Sequence, residues 1–260
     1  MEKMSEKRYL ELMTPTEEDF RSSAQRITDG LQAEFGSVAV PVQTLRKLYP
    51  LCQSAQWKVT ASLAWNGSGW SLTNVEAGDT TGIHYGLAVD LGSTTVVMEV
   101  VDLNSGDVVA SKTAVNGQVA YGNEILSRIF ASHEHPEILE ELRLATVNTI
   151  QSLVEDLSGQ LGYDLNNVAM MVISGNTTMI HFLIGLDAFT VFMTPYATVT
   201  TNPGFYLPEI WGLRFPAWST SYPANPIMWA AISPAALWRW GWCVRKGSTS
   251  FWISAPMANC

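Results

Sequence analysis

Apolar and polar residues alternate in two runs between Trp57 and Ala77, WKVTASLAW and WSLTNVEA, separated by Asn66-Gly67-Ser68-Gly69. A period of two interrupted by Asn-Gly predicts a β-hairpin. Upstream, Ile27 and Leu31 stand four residues apart, which predicts a helix over Ser22–Phe35. Val38–Leu45 reads as a strand entering a short helix, PVQTLRKLYPLC. The opening MEKMSEKRYLELMTPTEEDF is charged and is expected to be a flexible, weakly docked N-terminus over residues 1–20. Residues 21–80 then form a small α+β module, and GDTTGIHYG connects it to the next unit of the chain.

From Tyr85 the pattern changes. Tyr85–Asp90, Thr95–Val101 and Asp107–Ala114 predict three strands, with Asn104 and Gly106 suited to the reversal between the last two. Tyr121–His133 predicts a helix. Pro136 opens a longer one, because a first-turn proline gives up no helical hydrogen bond. Leu139, Leu142, Ala145, Ile150, Leu153 and Leu157 supply its apolar face. VAMMVIS, at Val168–Ser174, is apolar throughout, as a strand covered on both faces would be. Gly175-Asn176-Thr177-Thr178 leads into another short helix, MIHFLIG. The order β-β-β-α-β-α predicts an RNase H-like half-domain over residues 81–212, the half of an actin-like or sugar-kinase-like ATPase fold.

Composition alters this picture mainly at its end. The chain has 260 residues, 47% of them hydrophobic, enough for a sizeable core. All 24 acidic residues precede Leu213, and residues 213–260 carry only Arg214, Arg239, Arg245 and Lys246 as charged groups. Seven of the ten tryptophans lie from Trp211 onward, in no helical or strand period. An acidic body argues against nucleic acid as a partner, whereas local amides and Mg²⁺ can still hold a nucleotide. No membrane span and no secretory leader is read from the sequence. Cys52, Cys243 and Cys260 have neither disulfide nor metal spacing, so a cytoplasmic protein is expected.

Asp90 is the first candidate for chemistry. A carboxylate at the end of a central strand can organise Mg²⁺ through its waters or orient an attacking water. Gly92 lets the backbone approach phosphate oxygens, and Ser93, Thr94 and Thr95 offer hydroxyls and amides. The same residues also fit a hairpin with a polar, Asp-capped turn. Gly175, Asn176, Thr177 and Thr178 form a second candidate at a strand-to-helix junction, with a plain helix cap as the alternative. Asn116–Glu124 carries more polarity than a connector needs, and places Tyr121 and Glu124 as cleft candidates. His181 follows Thr177 by one helical turn. His84, His133 and His135 form no convincing metal set.

YGLAVDLGSTTVVMEVVDLNSGDVVA, NGQVAYGNEILSRI and VISGNTTMIHFLIGLD, together with WKVTASLAW and VEAGDTTG, resemble one family closely across residues 20–212. It is the ferredoxin-associated, actin-like ATPase domain of the reductive activators of corrinoid-dependent methyltransferases. The resemblance implies ATP and Mg²⁺ as ligands, with Asp90 reaching the metal through water. It implies a corrinoid protein or methyltransferase subunit as partner, whose cobalt(II) is returned to cobalt(I). Another actin-like ATPase or kinase, or a non-enzymatic corrinoid-protein interaction fragment, are the alternatives. The family's [2Fe–2S] cluster needs four thiolates, so none is expected in this chain.

The family also implies a second Asp-Gly phosphate turn beyond residue 212. Pairing the third base of each codon with the first two of the next turns Phe251–Cys260 into LDIGTNGEL, with both Leu, the Asp and the second Gly forced by the genetic code. The same shift over Met228–Cys243 allows VGGDITGGALALGMV. Residues 213–260 are therefore expected to be an out-of-frame tail with no native domain, and residues 1–260 alone to turn over little ATP.

Overall fold

A computed structural model describes residues 4–201, 203–206, 228–232, 243–246 and 251–254, with side chains considered as far as Gly204. The first unit is a four-stranded sheet under two helices. It comprises β1 (Ser5–Glu11), α1 (Ser23–Phe35), β2 (Val38–Ala39), α2 (Val42–Ser54), β3 (Lys58–Trp65) and β4 (Trp70–Ala77). The strand order is β1-β3-β4-β2, antiparallel except for the short parallel pairing of β2 with β4. Helix α1 starts where Ser22 and Gln25 cap each other's backbone amides, and it stops at Gly36, whose φ of 65° an ordinary side chain would resist. Ile27 and Leu31 from α1 meet Leu48 and Cys52 from α2 over Val59, Ala61, Leu63 and Leu72 of the hairpin. The predicted hairpin and first helix are thus present, and the predicted short helix extends to Ser54.

The N-terminus corrects the expectation of a flexible residue 1–20 segment. Ser5–Glu11 is a full edge strand, paired residue for residue with β3 from Ser5↔Ala64 to Glu11↔Lys58. Its polar side chains find partners far along the chain. Lys7 is buried and bonds Glu76 at 2.6 Å and the Thr80 hydroxyl at 3.3 Å. The Ser5 hydroxyl donates to the Leu63 carbonyl and lies 2.9 Å from His84 Nε2. His84 in turn accepts, through its backbone carbonyl, from the Leu103 amide at 2.7 Å. One residue therefore bonds β1 of the four-stranded sheet and the turn that follows β6 in the next unit.

The second unit holds β5 (Tyr85–Leu91), β6 (Thr95–Asp102), β7 (Val108–Val115), α3 (Ile125–Glu134), α4 (Pro136–Leu161), β8 (Met170–Gly175), α5 (Thr177–Leu183), α6 (Phe189–Phe192), β9 (Gly204–Tyr206) and β10 (Met228–Ile232). Its sheet runs β7-β6-β5-β8-β10-β9. Strands β5, β8 and β10 are parallel, β6 is antiparallel to both β5 and β7, and β9 is antiparallel to β10. Three meandering strands with two parallel additions on the β5 side make the RNase H-like α/β arrangement of actin-like ATPases. A separate two-stranded ribbon, β11 (Cys243–Lys246) with β12 (Phe251–Ser254), is the other described part of the tail. The rest of the reading for residues 213–260, including most of the shifted-frame stretches, lies outside the described residues.

Leu87, Val89 and Leu91 alternate onto one face of β5, beside Val96, Met98 and Val100 of β6 and Met171 and Ile173 of β8. Helix α4 covers that face with Leu142, Val147, Ile150, Leu153, Val154 and Leu157, and α5 adds Met179, Ile180 and Phe182. Pro136 opens α4 and left-handed Gly162 closes it, as first-turn proline and C-terminal glycine should. One boundary differs from expectation. The helix predicted from Tyr121 begins at Ile125, because Asn116 caps a short 3-10 helix over Gly117–Tyr121 and Gly122 then turns the chain with a φ of 144°.

Candidate functional site

The alternation that buries Val89 and Leu91 turns Asp90 to the opposite face of the sheet. Its register partners are Val97 on β6 and Ser174 on β8. Glu99 lies on the same face, diagonal to Asp90 and opposite Ala88. Burial raises the pKa of the half-buried Asp90 carboxyl. Glu99 is raised by its burial first and by the negative charge of Asp90 second. Among the described residues no cation pairs with either group. The result is a face with concentrated, poorly compensated negative charge, which a divalent cation would relieve.

The raised pKa of Glu99 sets the sign of a pH effect. A carboxyl that is harder to ionise when folded adds stability while protonated, and that stability falls as pH rises from the ordinary carboxylate range through the raised value. Glu99→Gln is expected to flatten this fall and to raise the urea midpoint at neutral pH. Midpoints taken between about pH 5 and pH 8 test it, and a variant less stable than the parent at pH 8 refutes it.

Beyond Leu91 the chain turns sharply. The Gly92 amide donates to the Thr95 carbonyl at 3.0 Å. A β-carbon at Gly92 would stand 2.6 Å from that same oxygen, so only glycine fits. The carbonyls of the turn are drawn backward in succession. Gly92 O accepts from Asn116 Nδ2 at 2.9 Å, Ser93 O from Arg128 Nη1 at 2.6 Å, and Thr94 O from the Asn116 amide at 2.8 Å. In a trans peptide the N–H points away from the preceding carbonyl. Anchoring Gly92 O and Ser93 O therefore aims the Ser93 and Thr94 amides outward, and among the described residues no backbone carbonyl takes them. Outward-facing successive amides beside a carboxylate are an arrangement suited to a metal-bound phosphate.

Asn116, Gln118 and Arg128 are the residues that sequence reasoning missed. All three are fully buried. Asn116 Oδ1 also accepts from the Gln118 amide, and Gln118 Nε2 bonds the Leu142 carbonyl and the Thr146 hydroxyl of α4. The excess polarity of the Asn116–Glu124 loop was the signal that could have found the first two, whereas nothing local marked Arg128 on α3. That polarity serves the back of the turn, whereas Tyr121 leans toward Glu141 of α4 and Glu124 lies exposed at the start of α3.

The second candidate segment emerges beside the first. Leu91 pairs with Gly175 in the parallel register, and a β-carbon at Gly175 would stand 2.9 Å from the Leu91 carbonyl oxygen. The two turns thus leave adjacent strands at the same edge of the sheet. Asn176 is a helix cap, its Oδ1 accepting from the Met179 amide at 3.0 Å. Thr178 is buried, and Thr177 gives its carbonyl to His181 Nδ1 at 2.7 Å. His181 is itself wholly buried, so it faces the protein interior and not the open side of the turn. His133 stacks on Phe189 at 3.8 Å and bonds Asp187, far from any carboxylate cluster. Among the described residues no group of three or more His, Cys, Asp or Glu side chains is placed to hold a metal.

Comparison with known proteins settles the lineage. The profile of the RACo linker region matches residues 1–82, and that of the RACo middle region matches residues 85–218. The chain belongs to the RACo family. RACo denotes the reductive activators of corrinoid proteins. A solved structure described as a reductive activator for corrinoid, iron-sulfur protein superposes with a TM-score of 0.71 at 27% identity, over 88% of this chain and 35% of that one. The corrinoid activation enzyme RamQ of Eubacterium limosum is 30% identical over 112 residues, which are 43% of this chain and 19% of RamQ. The chain thus spans about a third or less of the length of these relatives. The RACo linker is the four-stranded unit, and the RACo middle region contains the turn at Gly92 and the one at Gly175. The seam between the two matched regions falls at Ile83–His84, where the connecting segment is bonded to both units. No described helix is long and apolar enough to cross a membrane.

Proposed function

We propose that this chain carries one wall of the Mg·ATP site of a RACo-type activator, the machinery that returns a corrinoid cobalt(II) to cobalt(I) in a partner methyltransferase system. The observation that carries the reading is the turn after β5, whose carbonyls are anchored behind and whose amides face out next to Asp90. Ser93 and Thr94 supply amides, Thr94 and Thr95 supply exposed hydroxyls, and Gly92 gives a phosphate close access to the backbone. Asp90 would help to hold the metal, and a cation beside it would lower its raised pKa. Gly175, Asn176, Thr177 and Thr178 form the neighbouring rim. Bound Mg²⁺ supplies charge neutralisation at the phosphates. The chain's own contribution is to orient them.

A resident [2Fe–2S] cluster does not fit these residues. Cys52 is packed among Ile27, Leu48 and Val59, and burial pushes its thiol up to about 11. The electron-carrying part of the activity is therefore assigned elsewhere than the linker core. The corrinoid protein is the proposed partner on the strength of the family.

Asp90→Asn tests the site. In calorimetric titrations of the full chain, Mg·ATP affinity is expected to fall about tenfold or more, while ATP in excess chelator binds parent and variant alike. Equal Mg·ATP affinity in the two proteins, or no binding by the parent, would remove the basis of the proposal.

A further inference from the structure

We propose that Arg128 is a positioning residue whose buried charge is reserved for the nucleotide phosphate, an inference that rests on the Mg·ATP reading above. The side chain leaves α3 inward and is 0% exposed. Its Nε donates to Gly122 O at 2.8 Å, and its Nη1 to Ser93 O at 2.6 Å and more weakly to Gln118 Oε1 at 3.4 Å. All three acceptors are neutral. Nη2 is buried with no hydrogen-bond partner. Among the described residues no carboxylate reaches the guanidinium, and burial lowers its pKa.

A guanidinium taken out of water without a counter-ion is costly, and structural arginines in such places are ordinarily matched by a carboxylate. Here no Asp or Glu among the described residues matches it, and the group it reaches is instead the phosphate turn. Arg128 acts there in two ways. It polarises and fixes the Ser93–Thr94 peptide, so that the Thr94 N–H points outward with a stronger partial charge. It also places a full positive charge one peptide behind the spot where a phosphate arrives. The missing counter-ion and the expected ligand are then the same group. Because the guanidinium is buried and little screened by water, the two charges need no direct contact to attract. Asn116 anchors the same turn from the other side but carries no charge, so the electrostatic part falls on Arg128 alone.

Two substitutions test the charged group. Arg128→Lys keeps the charge and one donor. Arg128→Gln removes the charge and ends at the position of Nε, where it can still donate to Gly122 O but stops short of Ser93 O. Mg·ATP and magnesium pyrophosphate are titrated into the full chain, with far-UV circular dichroism and melting temperature recorded for each protein. The expected result is a loss of about tenfold or more in affinity for both ligands with Gln and within about threefold of the parent with Lys. Equal losses in Lys and Gln would make Arg128 a structural brace only and overturn the charge role. Parent-like binding by both variants would overturn it as well while leaving the nucleotide site intact. If the parent binds neither ligand, the Mg·ATP reading itself fails and this inference falls with it. Pyrophosphate is included because it lacks a base and ribose, so its response isolates the phosphate contacts.

Discussion

Gly92→Val is expected to abolish measurable Mg·ATP binding and to lower the melting temperature by several degrees. The added β-carbon would lie 2.6 Å from the Thr95 carbonyl oxygen, a backbone atom that cannot swing aside. Relief requires opening the Gly92-to-Thr95 hydrogen bond and with it the reversal between β5 and β6. Overpacking of this kind costs about 1–3 kcal/mol, and a chain of this size loses about 2–4 °C per kcal/mol. The binding loss should exceed what stability alone explains, because a shift of the turn re-aims the Ser93 and Thr94 amides. Gly159→Ala is the control. It sits within α4 with no atom near the added carbon, and is expected to be neutral or slightly stabilising. A Gly92 variant that binds Mg·ATP like the parent would show that the turn does not carry the phosphate.

The largest effect on stability is expected at Phe182. This side chain is wholly buried on α5, within the core that α4 and the second sheet share. Phe182→Ala removes a ring from close-packed surroundings that can only partly collapse, at a cost of about 3–5 kcal/mol. None of the hydrogen bonds that anchor the turn at Gly92 comes from Phe182. Urea unfolding should therefore show a much lower midpoint, while Mg·ATP affinity, measured below the transition, stays within about twofold of the parent. A loss under about 1 kcal/mol would contradict the packing described for α5.

The elements legible in the sequence were those with a clean local signal. The hairpin at Asn66-Gly67 and the strands around Asp102–Gly106 announced themselves through alternation and turn residues, and Pro136 marked the start of α4. Asp90 and Gly92 stood out because a carboxylate and a glycine come directly after a buried strand. Strand β1 was illegible for a physical reason. It is an edge strand whose polar residues are satisfied by Glu76, Thr80 and His84, and nothing within its own segment marks those partners. Arg128 was hidden in the same way. In ILSRIF it reads as an ordinary solvated cation on a helix, and only the fold brings the Ser93 carbonyl to it. Asn116 and Gln118 belonged to a stretch whose polarity was visible, but whether it faced outward or inward was a tertiary matter.

His84 has a mechanical meaning. Its ring is bonded to the first strand of the linker sheet and its carbonyl to Leu103, in the turn directly after β6 of the sheet that bears the phosphate turn. Lys7 binds the adjoining segment at Thr80 from the same side. The stretch between the sheets is thus clamped along its length and behaves as a stiff joint, not as a slack tether. Any displacement of one sheet against the other has to break buried polar bonds together, which favours abrupt, all-or-none movement over gradual bending.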